Sequence, residues 1–168
     1  MSNFNDFKRE STAALAVALR WFLLAVPTGL VCGLVGTAFH LAVETVTELR
    51  GQQPWLLFLL PVAGLAITAF YKWTKCEGVG TNNVIRAVQS GEPVSLLLVP
   101  AIFLGTMLTH LCGGSAGREG AALQMGGSIG WNVGVLLHLK DHDRRTATIS
   151  GMAAFFSALF GTPLTAAL

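Results

Sequence analysis

Two short stretches hold the residue types from which a binding site could be built. Gly117-Arg118-Glu119-Gly120 and Gly78-Val79-Gly80-Thr81-Asn82-Asn83 each place a glycine-rich, polar leader ahead of a segment of helical character. A helix start exposes backbone N–H groups without intrahelical partners and a partial positive charge, and glycine lets a ligand come close to them. The chemistry this suits is the binding of a small anion by backbone amides. Glu119 adds a carboxylate that would compete for the same donors and release them on protonation. Arg118 and Glu119 are also the only formal charges between Glu92 and Lys140. Charge in such apolar surroundings persists only when buried in protein or lining a polar pathway.

Other constellations carry less. Gly113-Gly114-Ser115-Ala116-Gly117 fits the G-x-S-x-G pattern of serine hydrolases and has His110 nearby, yet the apolar run Val94 to Cys112 ahead of it is not the strand that such a nucleophile follows. A structural Arg118–Glu119 ion pair holding a re-entrant turn is the alternative for that dipeptide. Cys32, Cys76 and Cys112 are far apart and lack ligand spacing, so they read as packed thiols and not as a disulfide framework or zinc site. His40 and His110 have no partner ligand at helical spacing and read as packed or interfacial, and neither a metal nor another cofactor is indicated. Gly126, Gly130 and Gly134 form a helix-packing stripe and not a phosphate loop, since no Gly-Lys-Ser or Gly-Lys-Thr follows.

Composition says which elements must position these groups. Of 168 residues, 52% are hydrophobic and 12% charged, and the mean hydropathy is +0.59. The charged share is about half that of an ordinary soluble domain, which argues against a soluble enzyme, a disordered tail or a nucleic-acid partner. A net charge of +2 is no polyanion-binding signal. Lys8 and Arg9 precede an apolar run in the manner of a targeting peptide, and Leu30-Val31-Cys32 faintly resembles a lipoprotein cleavage site. The run from Ala13 to Val43 is too long for a signal core, and Val31 is too bulky for the cleavage position, so the segment is read as retained.

The segments then follow as membrane helices. Ala13 to about Val46 is long enough to cross a bilayer at a tilt, with Pro27 a possible kink and Gly29 with Gly33 a small-residue pair suited to close helix packing. Glu44 to Pro54 is polar, and Trp55 to Phe70 returns with Tyr71 and Trp73 as interface anchors. A short helix runs to about Gln89, and apolar helices cover Val94 to Cys112 and about Ala121 to Leu139. Thr146 to Phe160 is followed by the break Gly161-Thr162-Pro163, after which another helix begins. Lys and Arg gather at Lys8, Arg9 and Arg20, at Lys72, Lys75 and Arg86, and at Lys140, Arg144 and Arg145, whereas the Glu44–Pro54 connection holds only Arg50. The basic loops and the N-terminus, with residues 1–12 as a polar leader, are therefore expected on the cytoplasmic side of the cell membrane. The chain stops inside an apolar run, from which an N-terminal part of a longer polypeptide is expected.

These residues bear a resemblance. Gly117-Arg118-Glu119-Gly120 followed by Gln124, Gly126, Gly127, Ile129 and Gly130 resembles the GREGP…Q-x-G-G-x-I-G signature of the CLC chloride channel and anion/proton antiporter family. Gly161-Thr162-Pro163-Leu164 is similar to its N-A-P-L turn, and Gly78-Val79-Gly80-Thr81-Asn82 stands where that family has its GSGIP motif. The resemblance implies an all-α, multi-pass membrane protein with broken and re-entrant helices, in which residues 1–168 form the N-terminal part of one inverted-repeat transmembrane domain. It further implies a homodimer in lipid with a pore in each subunit, transport of a halide with protons, and a gating and proton-relaying role for Glu119. Gly78, Val79, Gly80, Thr81, Gly117, Arg118, Gly120 and Ala121 would surround the anion. Val79 replaces the family's chloride-contacting serine, as in its fluoride-exporting branch, and Ala121 replaces a proline. Fluoride export coupled to proton antiport is therefore the leading expectation. A chloride/proton antiporter or chloride channel is the alternative, with an intramembrane hydrolase or a non-transporting remnant behind it. The family's GxFxP motif and central tyrosine would fall beyond residue 168.

Overall fold

Apolar sequence interrupted by glycine and proline produces, among the described residues, seven α-helices and one 3₁₀ helix, and every regular element there is helical. The computed structural model describes the backbone of residues 2–167 and the side chains of residues 14, 15 and 17–167. Lys8 and Arg9, on which part of the orientation reading rests, have side chains outside that set. The helices are α1 (Ser2–Gln52), α2 (Leu60–Trp73), α3 (Thr81–Ser90), α4 (Leu98–Leu111), α5 (Arg118–Leu136), α6 (Asp141–Phe160) and α7 (Pro163–Ala167).

Boundaries differ from the sequence reading at the polar ends. Helix α1 already runs through residues 2–12 and continues past Pro27. The return from Trp55 is a 3₁₀ turn, Pro54–Leu59, before α2, because Pro54 and Pro61 each lack the N–H that one continuous helix would need. Helix α4 begins at Leu98 and not at Val94. Ser95 starts it, its carbonyl accepting from Leu98 N–H at 3.2 Å and its Oγ from Leu97 N–H at 3.3 Å, and Pro100 sits in the first turn where a missing donor costs nothing. Helix α5 takes in Arg118, Glu119 and Gly120, read from sequence as a leader. Lys140 to Arg145 is not a loop. Helix α6 begins at Asp141, where Asp141 and Asp143 complement the positive end of the helix and Arg144 Nη2 meets Asp141 Oδ1 at 2.9 Å.

The core lies where α1, α4, α5 and α6 meet. Phe39 of α1 is fully buried, edge-on to Phe103 of α4 and against Phe155 of α6. The tightest packing is between α5 and α6. A Cβ on Gly126 would meet the Gly151 carbonyl, and one on Gly130 would meet the Ala147 carbonyl, so only glycine admits this approach. The predicted stripe is thus a packing face. The Gly29–Gly33 pair is not, since nothing lies within 4 Å of either added Cβ. Gly36 makes the α1–α6 contact instead, with Ala158 Cβ 3.0 Å from its added Cβ. Val17–Gln52 and Pro54–Trp73 are each long and apolar enough to cross a membrane, and most of each faces outward.

Ion pairs and caps group the polar ends. Arg20 on α1 pairs with Asp143 on α6, and Arg145 Nη1 donates to the Gln89 carbonyl at the end of α3 at 2.8 Å. At the opposite end of α1, the side chains of Arg50 and Leu57 both lie against Gly113.

Candidate functional site

Helices α3 and α5 begin beside one another. Gly80 precedes α3 in an extended conformation, and Gly117 does the same for α5. Gln124, on the second turn of α5, donates through Nε2 to Thr81 Oγ1, the first residue of α3, at 3.1 Å. A Cβ added to Gly120 would stand 3.5 Å from that same hydroxyl oxygen. Three residues further on, Val84 of α3 packs so closely on Gly127 of α5 that any side chain at 127 would collide with it. The two helices therefore run side by side in the same direction, with both positive ends at one place.

The donors at these ends are not all free. Val79 N–H donates to the Cys76 carbonyl at 3.2 Å, and Gly80 N–H to Asn83 Oδ1 at 3.0 Å, the half of a capping box that remains when the N-cap residue has no side chain. Among the described residues, the N–H groups of Thr81 and Asn82 on α3, and of Arg118, Glu119 and Gly120 on α5, have no backbone acceptor. Gly78 has φ of +69°, a left-handed conformation that a residue with a side chain would resist, and it turns the chain into α3.

The side chains of the expected site residues separate into two groups. Glu119 is exposed on the first turn of α5 and folds back, its Oε2 3.9 Å from an added Cβ on Gly117. Arg118 is half-buried, and among the described residues it makes no ion pair with Glu119, so the structural ion-pair alternative finds no contact. Ala121 is buried with its methyl in the core. Val79 points elsewhere: it packs on the core and lines a cavity of about 130 Å³ with Lys75, Cys76, Asn83, Glu92 and Ser95, of which Glu119 is not part.

Three polar residues on α5 were given no role in the site by the sequence reading, although Gln124 was named in the signature. Gln124 joins the two helix starts, while Ser128 donates to the Ser95 carbonyl at 2.8 Å and Asn132 to the Val94 carbonyl at 2.9 Å, holding the extended approach to α4 against α5. The available signal was a polar side chain at positions 124, 128 and 132, one per turn along an otherwise apolar helix.

The alternatives can be placed as well. His110 Nδ1 lies 2.9 Å from the Thr106 carbonyl on its own helix, and among the described residues Ser115 has no histidine partner. His40 does have a partner at helical spacing, contrary to the sequence reading: its Nε2 is 3.3 Å from Glu44 Oε1. The three cysteines are buried and free. Among the described residues no cluster of three or more His, Cys, Asp or Glu could hold a metal.

Comparison with known proteins bears on this arrangement. Residues 63–168 match the family described as voltage gated chloride channel. The chain is 36% identical to the "Chloride/fluoride channel protein" of Pseudomonas syringae pv. tomato, over 98% of this chain and 37% of that protein. It is 31% identical to the "H(+)/Cl(-) exchange transporter ClcA" of Vibrio vulnificus, over 95% of this chain and 37% of the relative. A solved structure described as a CLC-type fluoride/proton antiporter superposes with a TM-score of 0.80 at 36% identity, covering 86% of this chain and 37% of that one. The chain thus spans somewhat over a third of the length of the relatives it matches.

Proposed function

Because this chain belongs to the voltage-gated chloride channel family, we propose that it supplies part of a transmembrane halide pathway, exporting fluoride in exchange for protons, with Glu119 as gate and proton acceptor. The observation that carries the reading is the meeting of two glycine-led helix starts, α3 and α5, with a carboxylate on the first turn of one of them. Their unpaired amides form a donor set of the kind that replaces part of an anion's water shell. An ionised Glu119 occupies the same positive end and competes with the halide. A proton removes that competition and is itself carried when the side chain swings away.

Fluoride is preferred over chloride in this reading because the fluoride-named relative and structural neighbour are the more similar of the proteins compared above. The same reading places the protein in lipid as a homodimer. The N-terminus and the Lys72–Arg86 and Lys140–Arg145 segments would face the cytoplasm, and Glu44–Pro54 the other side.

The test uses the protein that carries this sequence, reconstituted in liposomes loaded equally with fluoride and chloride. Fluoride should leave first and move protons inward. Glu119→Gln, which mimics the protonated gate, should abolish proton coupling. Chloride leaving as fast as fluoride would move the protein to the chloride/proton alternative, and unchanged coupling in Glu119→Gln would remove the gate assignment.

A further inference from the structure

We propose that Gln124 is a positioning residue that makes the Thr81 hydroxyl a side-chain donor to the transported halide. The inference rests on the anion-pathway reading above and adds to it a donor that neither Val79 nor the glycines can supply.

A threonine hydroxyl has one proton and two acceptor lone pairs, whereas an amide nitrogen can only donate. The 3.1 Å contact from Gln124 Nε2 therefore makes Thr81 Oγ1 the acceptor and leaves its proton unspent. Among the described residues, no protein acceptor takes that proton. Backbone accounting sharpens the point: the amides of Val79 and Gly80 are already committed to Cys76 and Asn83, so the backbone donors left at the start of α3 are Thr81 N–H and Asn82 N–H, and the Thr81 hydroxyl adds a side-chain donor beside them. The hydroxyl also faces the first turn of α5, 3.5 Å from an added Cβ on Gly120. Glycine at 120 keeps the space beside it open, and Gln124 fixes the oxygen relative to the α5 amides. A donor bond to a charged acceptor is shorter and stronger than a neutral one. Without Gln124 the threonine side chain could rotate to bond nearby backbone, as serine and threonine do near helix starts.

Halide flux and its concentration dependence are measured in proteoliposomes of the protein carrying this sequence, as wild type, Thr81→Val, Thr81→Ser, Gln124→Leu and the Thr81→Val/Gln124→Leu double variant. Thr81→Val should raise the KM for the preferred halide about tenfold with a smaller change in maximal rate, and Thr81→Ser should stay within about twofold of wild type. Gln124→Leu should weaken binding in the wild-type background and add nothing once Thr81 is valine. If Gln124→Leu does not fold, the Thr81→Val and Thr81→Ser pair still decides. An unchanged KM in Thr81→Val, or a Gln124→Leu effect that persists in full beside Thr81→Val, overturns the proposal while the pathway reading stands. No halide flux from the wild type overturns both.

Discussion

The Gly126–Gly130 pair of α5 and the Gly29–Gly33 pair of α1 share a four-residue spacing and differ in everything else. On α5, the carbonyls of Gly151 and Ala147 occupy the room that a methyl would need, and the two backbones are in contact. On α1, the pair looks onto an open groove with Leu30, Leu34, Thr37 and Leu41, and no atom lies within 4 Å of an added Cβ. Spacing alone therefore marks where a close approach is permitted. Whether the approach occurs depends on what the rest of the chain brings to that face. Helix α6 presents its own small residues, Ala147 and Gly151, at matching heights, whereas nothing in residues 14–167 reaches the outer face of α1.

That contrast can be broken or sharpened by substitution. The largest effect should come from Gly130→Val, whose branches would be driven into the Ala147 carbonyl. A loss of about 3 kcal/mol or more, or failure to recover folded protein, is expected in detergent unfolding. Mild behaviour there would mean that the α5–α6 crossing is looser than described. Next comes Asn132→Leu, which strips the Val94 carbonyl of its side-chain donor on the same helix and should cost about 1–3 kcal/mol by the same assay. Arg20→Met removes the α1–α6 ion pair, but the arginine is more than half exposed, so the loss should stay below about 1 kcal/mol and shrink further at high salt. The smallest effect belongs to Gly33→Ala. Better helix propensity and open space should leave stability unchanged or raise it by up to about 1 kcal/mol. A clear loss of stability would instead show that another helix occupies that face in the assembled protein.

A second comparison, between the two helix starts, shows how the site was partly visible in advance. Gly117-Arg118-Glu119-Gly120 stood out because a charge pair framed by glycine in apolar sequence has few physical explanations, and helix α5 does begin there. Its charges sit inside the first turn and not ahead of it, since an acidic residue near a helix start favours extending the helix toward it. The same effect moved the start of α6 back to Asp141. At α3 the glycines marked the start correctly, but two of the amides expected to face a ligand are consumed locally. Asn83 was read as part of a polar leader, and it turned out to be a cap for Gly80.

Composition and periodicity alone determined that this is a helical, strongly apolar chain and where its glycine-led helix starts fall, and they singled out Glu119 as the one carboxylate between Glu92 and Lys140. These are local consequences of residue type: apolar length, unpaired amides and the freedom of glycine. Only the tertiary structure decided that α3 and α5 lie side by side, that Gln124 joins them through Thr81 across 43 positions of sequence, and that Val79 lines a cavity of which Glu119 is not part. Those facts depend on which small residues of α5 let α3 and α6 come close, and a contact between distant segments leaves no spacing of its own in the chain.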